Sequence, residues 1–471
     1  MDYFRSYKLP ADAGVVAAWD SEMARANEIP LLARLIAERG AELYPEFARR
    51  YAEVRALSRS ARRALQKRLA ASRDLTTIPA EWQRRLAYSL AGAALLLVLS
   101  DGPLQAGTIN VGAGCTLTQA IISANNGSNS GGCTGATTSP NTIVIPAKSK
   151  ITLTSAYPGA YNPTGLPTVT SAITITGNGA SISRSKKGPQ MRLLVVNGPG
   201  GDLTLNNLTL SGGLVPNGLG GAVYNHNGIL EINHCVISGN TAYSGAVASI
   251  GTTTISGTTF TKNIAYNGGA VYNQGETDIH NSTITGNRAL IAGGGLSNAY
   301  GQMSVQNSTL SKNSAYYAGG GIANYSGNVT VDPTIITGNK AALGGGIANA
   351  YGYVHVDHST VSKNSAAAGG GIASVGGDGL THGDVATVTV GNSSLITGNK
   401  SATLGGGVFN CGYFNLNDST ISGNSAKAAG GGIASVKGYH IGYYCFYNNN
   451  YNGNFHITGN KAKVGPNYFY Y

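Results

Sequence analysis

Two carboxylates and two imidazoles fall within one short stretch of the chain. Asp332 and Asp357 each stand seven residues before a recurring Asn, at Asn339 and Asn364. His355 and His358 flank the second carboxylate. If the surrounding segments stack, the two carboxylates lie about 5 Å apart, the spacing of neighbouring strands. Gathered carboxylates can act as acid, base or calcium ligands in polysaccharide cleavage. Asp332, Asp357 and His358 are the candidate catalytic residues on that reading, while His355 should point opposite to its neighbours along the strand. Arg288 is the last Arg of the chain, so no guanidinium is placed to assist. The competing reading is a set of polar residues on an exposed edge.

Three other groups could bind rather than react. Lys262, Arg288, Lys312, Lys340, Lys363 and Lys400 each adjoin a recurring Asn, alternately before and after it. Stacking would turn them into a staggered cationic line suited to anionic glycans or nucleic acid. No aromatic residues interleave it as in a base-stacking groove, so no specific nucleic acid is expected. Thr259/Thr261, Thr283/Thr285, Thr309/Ser311, Thr360/Ser362 and Thr420/Ser422 form a hydroxyl array of the kind that binds ice, interrupted at Ile335 and Leu395. The segment 438–454 is rich in Tyr and Asn, and Tyr439, Tyr443, Tyr444 and Tyr447 could supply a recognition surface on a loop. A loop that caps the last coils is the other reading of it.

The elements that position these residues are repeats. Asn240, Asn263, Asn287, Asn313, Asn339, Asn364, Asn399, Asn424 and Asn460 recur at gaps of 23 to 26 residues, with two gaps of 35 and 36. Short alternating runs such as "YVHVD" and "TITGN" precede the Asn, and Gly pairs or triplets follow it. Period-two alternation within a repeat of about 25 residues predicts several short strands per unit. In "TITGN", Ile284 should point inward and Thr283 and Thr285 outward, with Gly286 and Asn287 turning the chain through left-handed angles. Stacked Asn side chains can bond along the column. A second column is expected at Asn225, Asn273, Asn298, Asn324, Asn349 and Asn410. The Gly runs should let adjacent coils approach closely.

The chain is 471 residues long with 68 Gly and 42% apolar residues, so it can bury a core. Residues 1–85 hold 16 Lys/Arg and 11 Asp/Glu, about half of all the charge. Residues 20–73 show helical apolar spacing, broken at Pro30 and Pro45. Residues 1–85 are therefore expected to be a charged helical extension that contacts solvent or a membrane surface. Arg84 and Arg85 precede the apolar run 86–100, and small Ala106 follows. Residues 86–106 thus read as a secretory signal or an anchor, although the apolar run falls short of the roughly 20 residues of a spanning helix.

"FTKN" (260–263) followed by "GGAV" (268–271) resembles the paired repeats of polymorphic outer membrane proteins. "CTLTQAIISANN" (115–126), "NTIVIP" (141–146) and "ITITGNGASISR" (173–184) resemble the leading segment of secreted β-helix proteins of the CSLREA type. The resemblance covers residues 115–460. It implies an all-β fold: a right-handed single-stranded parallel β-helix, with a leading region at 107–200 that includes a short helix, and repeat coils at 201–471. It also implies export to the cell surface or outer membrane and a non-enzymatic role as adhesin or scaffold. The partners would be surface glycans or host and cell-envelope components. A polysaccharide lyase or hydrolase is the alternative, and ice binding a minor one. The translocating barrel of the first family is not expected after the repeats. Cys115 and Cys133 flank the short helix and are expected to pair on an export route. Cys411 and Cys445 could clip the Tyr-rich insertion. Cys235 aligns with Ser282 and reads as a buried apolar residue. No cofactor is implied, and no Cys/His spacing suits a metal.

Overall fold

The computed structural model describes residues 107–471 except 138–139, 160, 162, 377–384, 441–442 and 446–447. Before residue 107 it describes only 47–52, 86, 92 and 94–96. Most of the expected helical extension and signal segment therefore lies outside the described residues. Among the described residues no helix is long and apolar enough to cross a membrane. The chain divides into two units, Met1–Gln105 and Ala106–Tyr471.

The second unit is a right-handed parallel β-helix. One coil shows its anatomy. Ile229–Asn233 and Val236–Ser238 run along a 23-stranded sheet, Thr241–Ser244 turns onto a third wall, and Val247–Ser249 joins an 11-stranded sheet. Each segment pairs in parallel with its equivalent one coil on. The chain Thr259, Thr283, Thr309, Ile335, Thr360, Leu395, Thr420 is one such row. The inward positions make apolar columns. Ile284, Leu310, Ile336 and Val361 stack in one, Val305, Val331 and Val356 in another, and Leu296, Ile322 and Ile347 in a third. All of these are fully buried. No single coil could bury them, so the core exists only through stacking.

Stacking also buries backbone at the corners, and side chains satisfy it. Each marker Asn from Asn263 to Asn460 accepts the backbone N–H of the Asn one coil earlier, at 2.9–3.1 Å. Its amide donates to a carbonyl of that earlier coil, as Asn339 does to Leu310 at 3.0 Å. The second Asn column also forms: Asn273 bonds Asn298 at 2.7 Å, and Asn298 bonds Asn324 at 2.8 Å. A third ladder was not anticipated. The hydroxyls of Thr258, Ser282, Ser308, Thr334, Ser359, Ser394 and Ser419 each accept the N–H of the equivalent residue one coil earlier. Cys235 heads this ladder, and burial pushes its thiol up to about 11.

The turn before the marker Asn differs from expectation. Its left-handed angle belongs to the preceding residue alone, such as Gly286 at φ 63°, and none of the marker Asn has positive φ. In three coils that residue is Lys: Lys262 at φ 57°, Lys312 at 55° and Lys363 at 55°. A left-handed Lys costs on the order of 1 kcal/mol. A Cβ on Gly338 or Gly398 of the next coil would come within 4.0 or 3.8 Å of the Lys312 or Lys363 stem, so Gly there leaves each stem room. The Gly runs work as expected. A Cβ on Gly320 would sit 2.4 Å from the carbonyl oxygen of Gly345, so only Gly allows that approach.

The ends are sealed differently. Helix Leu117–Asn126 caps the first coils, started by a Thr116/Gln119 capping box and stopped by left-handed Gly127. Its buried face is Leu117, Ala120, Ile121 and Ala124. The Cys115–Cys133 disulfide closes a span of 18 residues around it, which contributes about 3 kcal/mol. At the other end two of the three core columns reach aromatics, Tyr451 and Tyr468, and the third reaches Ile457. Tyr451 packs on Phe455 and Tyr468, with ring centroids at 5.3 and 6.0 Å, and burial raises its phenol well above the usual range.

Asn339→Ala should leave the buried N–H of Asn313 without its acceptor and remove the amide that donates to the carbonyl of Leu310. The expected loss is on the order of 3 kcal/mol in denaturant titration. Lys340→Ala next to it should change stability by less than about 0.5 kcal/mol.

Candidate functional site

The acidic edge assembles into two pairs. His355 and Asp357 are two apart on strand Tyr353–Asp357, so the period of two puts them on one side. His355 does point opposite to buried Val354 and Val356, and that brings it onto Asp357. His355 Nε2 lies 2.6 Å from Asp357 Oδ2, and Asn392 donates to the same oxygen at 2.9 Å. The Asp357 side chain is only 12% exposed, and the next coil offers Gly391 there. A Cβ on Gly391 would lie 2.8 Å from Oδ1, which is buried without a partner. His358 sits at the following bend with φ 44°, and its Nδ1 lies 2.9 Å from Asp332 Oδ1 on the preceding coil.

Each carboxylate is thus engaged by its own imidazole. Asp357 fixes the His355 ring, which is the positioning half of a general base. Glycoside cleavage needs a second group across the scissile bond. Asp332 could supply one only by releasing His358. Among the described residues no group of three or more His, Cys, Asp and Glu is arranged to hold a metal ion.

All six predicted cations are exposed. They form two columns. Lys262, Lys312 and Lys363 occupy the left-handed turn position, alternating with Gly286, Gly338 and Gly398. Arg288, Lys340 and Lys400 start the third wall and alternate in register with Ser314, Ser365 and Ser425. Lys461 continues that column, and the marker spacing could have shown it. Beside it lies an open trough of about 520 Å³ lined by Arg288, Ser314, Tyr316, Lys340, Ser365 and a set of alanines.

The hydroxyl array exists on the second segments, but its members pair with one another. Ser311 donates to Thr285 at 3.0 Å and Ser362 to Thr337 at 3.1 Å. Ile335 breaks the row at 48% exposure. Those internal bonds and that break weigh against a flat array matched to ice.

In the Tyr-rich segment the backbone of Gly438–His440 and Tyr443–Cys445 forms an antiparallel hairpin. Cys445 is joined to Cys411 and is buried with Val375, Phe409 and Val436. The hairpin thus begins as a cover stapled to the fourth segments. The side chains of Tyr439, Tyr443 and Tyr444, and Tyr447 altogether, lie outside the described residues. Sequence reasoning missed another aromatic group. Tyr300, Tyr325 and Tyr351 stand edge to face at 5.3 and 5.8 Å along successive coils. Their spacing of 25 and 26 residues repeats that of the Asn markers.

Residues 220–385 match the family model described as the right handed beta helix region. No curated protein and no solved structure matches the chain.

Asp357→Ala should release His355 and Asn392 and lower stability by about 1–2 kcal/mol in thermal unfolding. His358→Ala, whose partner Asp332 is exposed, should lower it by less than about 1 kcal/mol.

Proposed function

We propose that the chain is an exported, cell-surface β-helix that binds acidic glycans without turning them over. The observation that carries this reading is the exposed, evenly repeated cation columns on a rod whose buried polar side chains are used in holding coils together. A stiff array of like charges favours a long anionic partner over a compact one. Two disulfides fit an oxidising environment and so favour the export reading. The resemblance to polymorphic outer membrane and CSLREA-type repeats supports the surface location, as does the signal-like segment 86–106. An anchoring or cleaved role for that segment follows from its composition alone.

The second reading is a polysaccharide lyase or hydrolase centred on the acidic edge. It is favoured by one observation, the oriented His355–Asp357 pair.

Purified full-length protein incubated with acidic and neutral polysaccharides separates the two. Retention on acidic glycans, with no new reducing or unsaturated ends, is the expected result. Binding should weaken steeply as salt rises from about 0.05 to 0.5 M, because exposed charges are screened. Depolymerisation that disappears in Asp357→Ala would overturn the scaffold reading.

A further inference from the structure

The third residue after each marker Asn forms a rim along the third wall. In chain order it is Tyr243, Tyr266, Leu290, Tyr316, Ala342, Ala367, Ala402, Lys427 and Lys463. Three consecutive coils therefore give up a bulky rim side chain, and the trough lies where they do. Its floor continues the buried column Ala289, Ala315 and Ala341. Tyr316 stands beside it at 82% exposure. One coil past Ala366 the same column carries Ser401, whose buried hydroxyl has no partner.

The charges at this trough have a fixed spacing. Arg288 and Lys340 line it two coils apart, with Ser314 between them and Ser365 beyond. Two strand spacings come to roughly 9.5 Å. That is close to the length of one extended disaccharide. None of the residues lining the trough is acidic.

We propose that this trough binds a linear acidic polysaccharide carrying one carboxylate on every second sugar. The proposal rests on the glycan-binding reading above and names its site and ligand class. Carboxylates would meet Arg288 and Lys340, and Lys400 would extend the row. The serine hydroxyls between them would bond the intervening neutral sugar. The alanine methyls give the carbohydrate C–H face a flat apolar floor, and the Tyr316 ring gives it a stacking edge. Parallel coil pairing sets the backbone positions of these groups before the ligand arrives, so the ordering on binding is confined to their side chains. A nucleic acid strand fits less well. Its phosphates recur at closer intervals, and Tyr316 is the single ring lining the trough.

The test titrates full-length protein with a hyaluronan hexasaccharide. Comparators are a chitin hexasaccharide, a galacturonate trisaccharide with its carboxylates on consecutive sugars, and a thymidine oligonucleotide. Hyaluronan should bind tightest. Ala367→Tyr restores at this coil the rim that others carry, without changing charge, and should weaken hyaluronan binding about ten-fold by filling the trough. Arg288→Gln with Lys340→Gln should weaken it by about ten-fold or more. Lys312→Gln with Lys363→Gln removes the same charge from the other column and should cost less than about three-fold. Melting temperatures of the variants establish that each is folded. Unchanged binding by Ala367→Tyr, equal losses in the two Lys/Arg pairs, or tighter binding of the trisaccharide or oligonucleotide would overturn the proposal. If glycans bind but Ala367→Tyr has no effect, the trough fails and the glycan reading stands. If no glycan binds at all, both fail.

Discussion

A buried amide that must find a partner one coil away is the constraint on which this structure depends. Every coil turns a corner after the second segment, and the turn leaves backbone N–H and carbonyl groups inside the rod. The marker Asn supplies both an acceptor and a donor there, reaching from one coil to the next. An unpaired amide in that position would cost about 1–3 kcal/mol, so the Asn recurs at nearly every turn. The hydroxyl ladder answers the same demand at the bend between first and second segments, and the second Asn column answers it after the fourth. Together the ladders fix the register of the repeat coils at once, and the apolar columns there follow from that register.

Fixing the interior so tightly leaves chemistry to the outside. The outward positions vary from coil to coil, and each variation is displayed at a known height along the rod. This is why a cation can alternate with serine on one wall and with glycine at the adjoining turn. It is also why Gly391, one coil from Asp357, can decide whether that carboxylate is buried. The Tyr-rich insertion interrupts the pattern without breaking it. After the hairpin, Asn448–Asn452 rejoins the long sheet in register with Tyr413–Asn417.

The sequence made the coil legible because buried residues of one type had to recur at one place. The Asn spacing, the inward Ile284 and outward Thr283, and both cysteine pairs could all be read from it. The left-handed turn residue was misassigned because Asn and Gly both tolerate that angle, and only the backbone shows that Gly286, Lys262 and their equivalents take it. The hydroxyl ladder was hidden because Cys235, Thr258, Ser282 and Thr334 differ in type while doing one job. Ser and Thr are also common on outward strand positions. The trough was invisible for a different reason. It is made by missing side chains at Ala342, Ala367 and Ala402, and their absence has meaning only once the coils are in register. The acidic edge was half legible. Proximity of the four residues was clear, but the pairing of His355 with Asp357 and of His358 with Asp332 needed the bend at His358.

If register is set by equivalent positions alone, whole coils should be removable. Deleting residues 314–339 joins Asn313 to Lys340 and brings Asn313 against Asn364, a partner equivalent to the one it lost. Thermal unfolding followed by far-ultraviolet circular dichroism tests this directly. The stacking account predicts a β-rich, cooperatively melting chain within a few degrees of the parent. It also predicts a collapsed or unfolded product when only residues 314–326 are removed, since that cut takes out the third and fourth segments and leaves Asn328–Val331 no path back to its place in the long sheet. A chain that unfolds on loss of the complete coil, or tolerates both deletions equally, would contradict it.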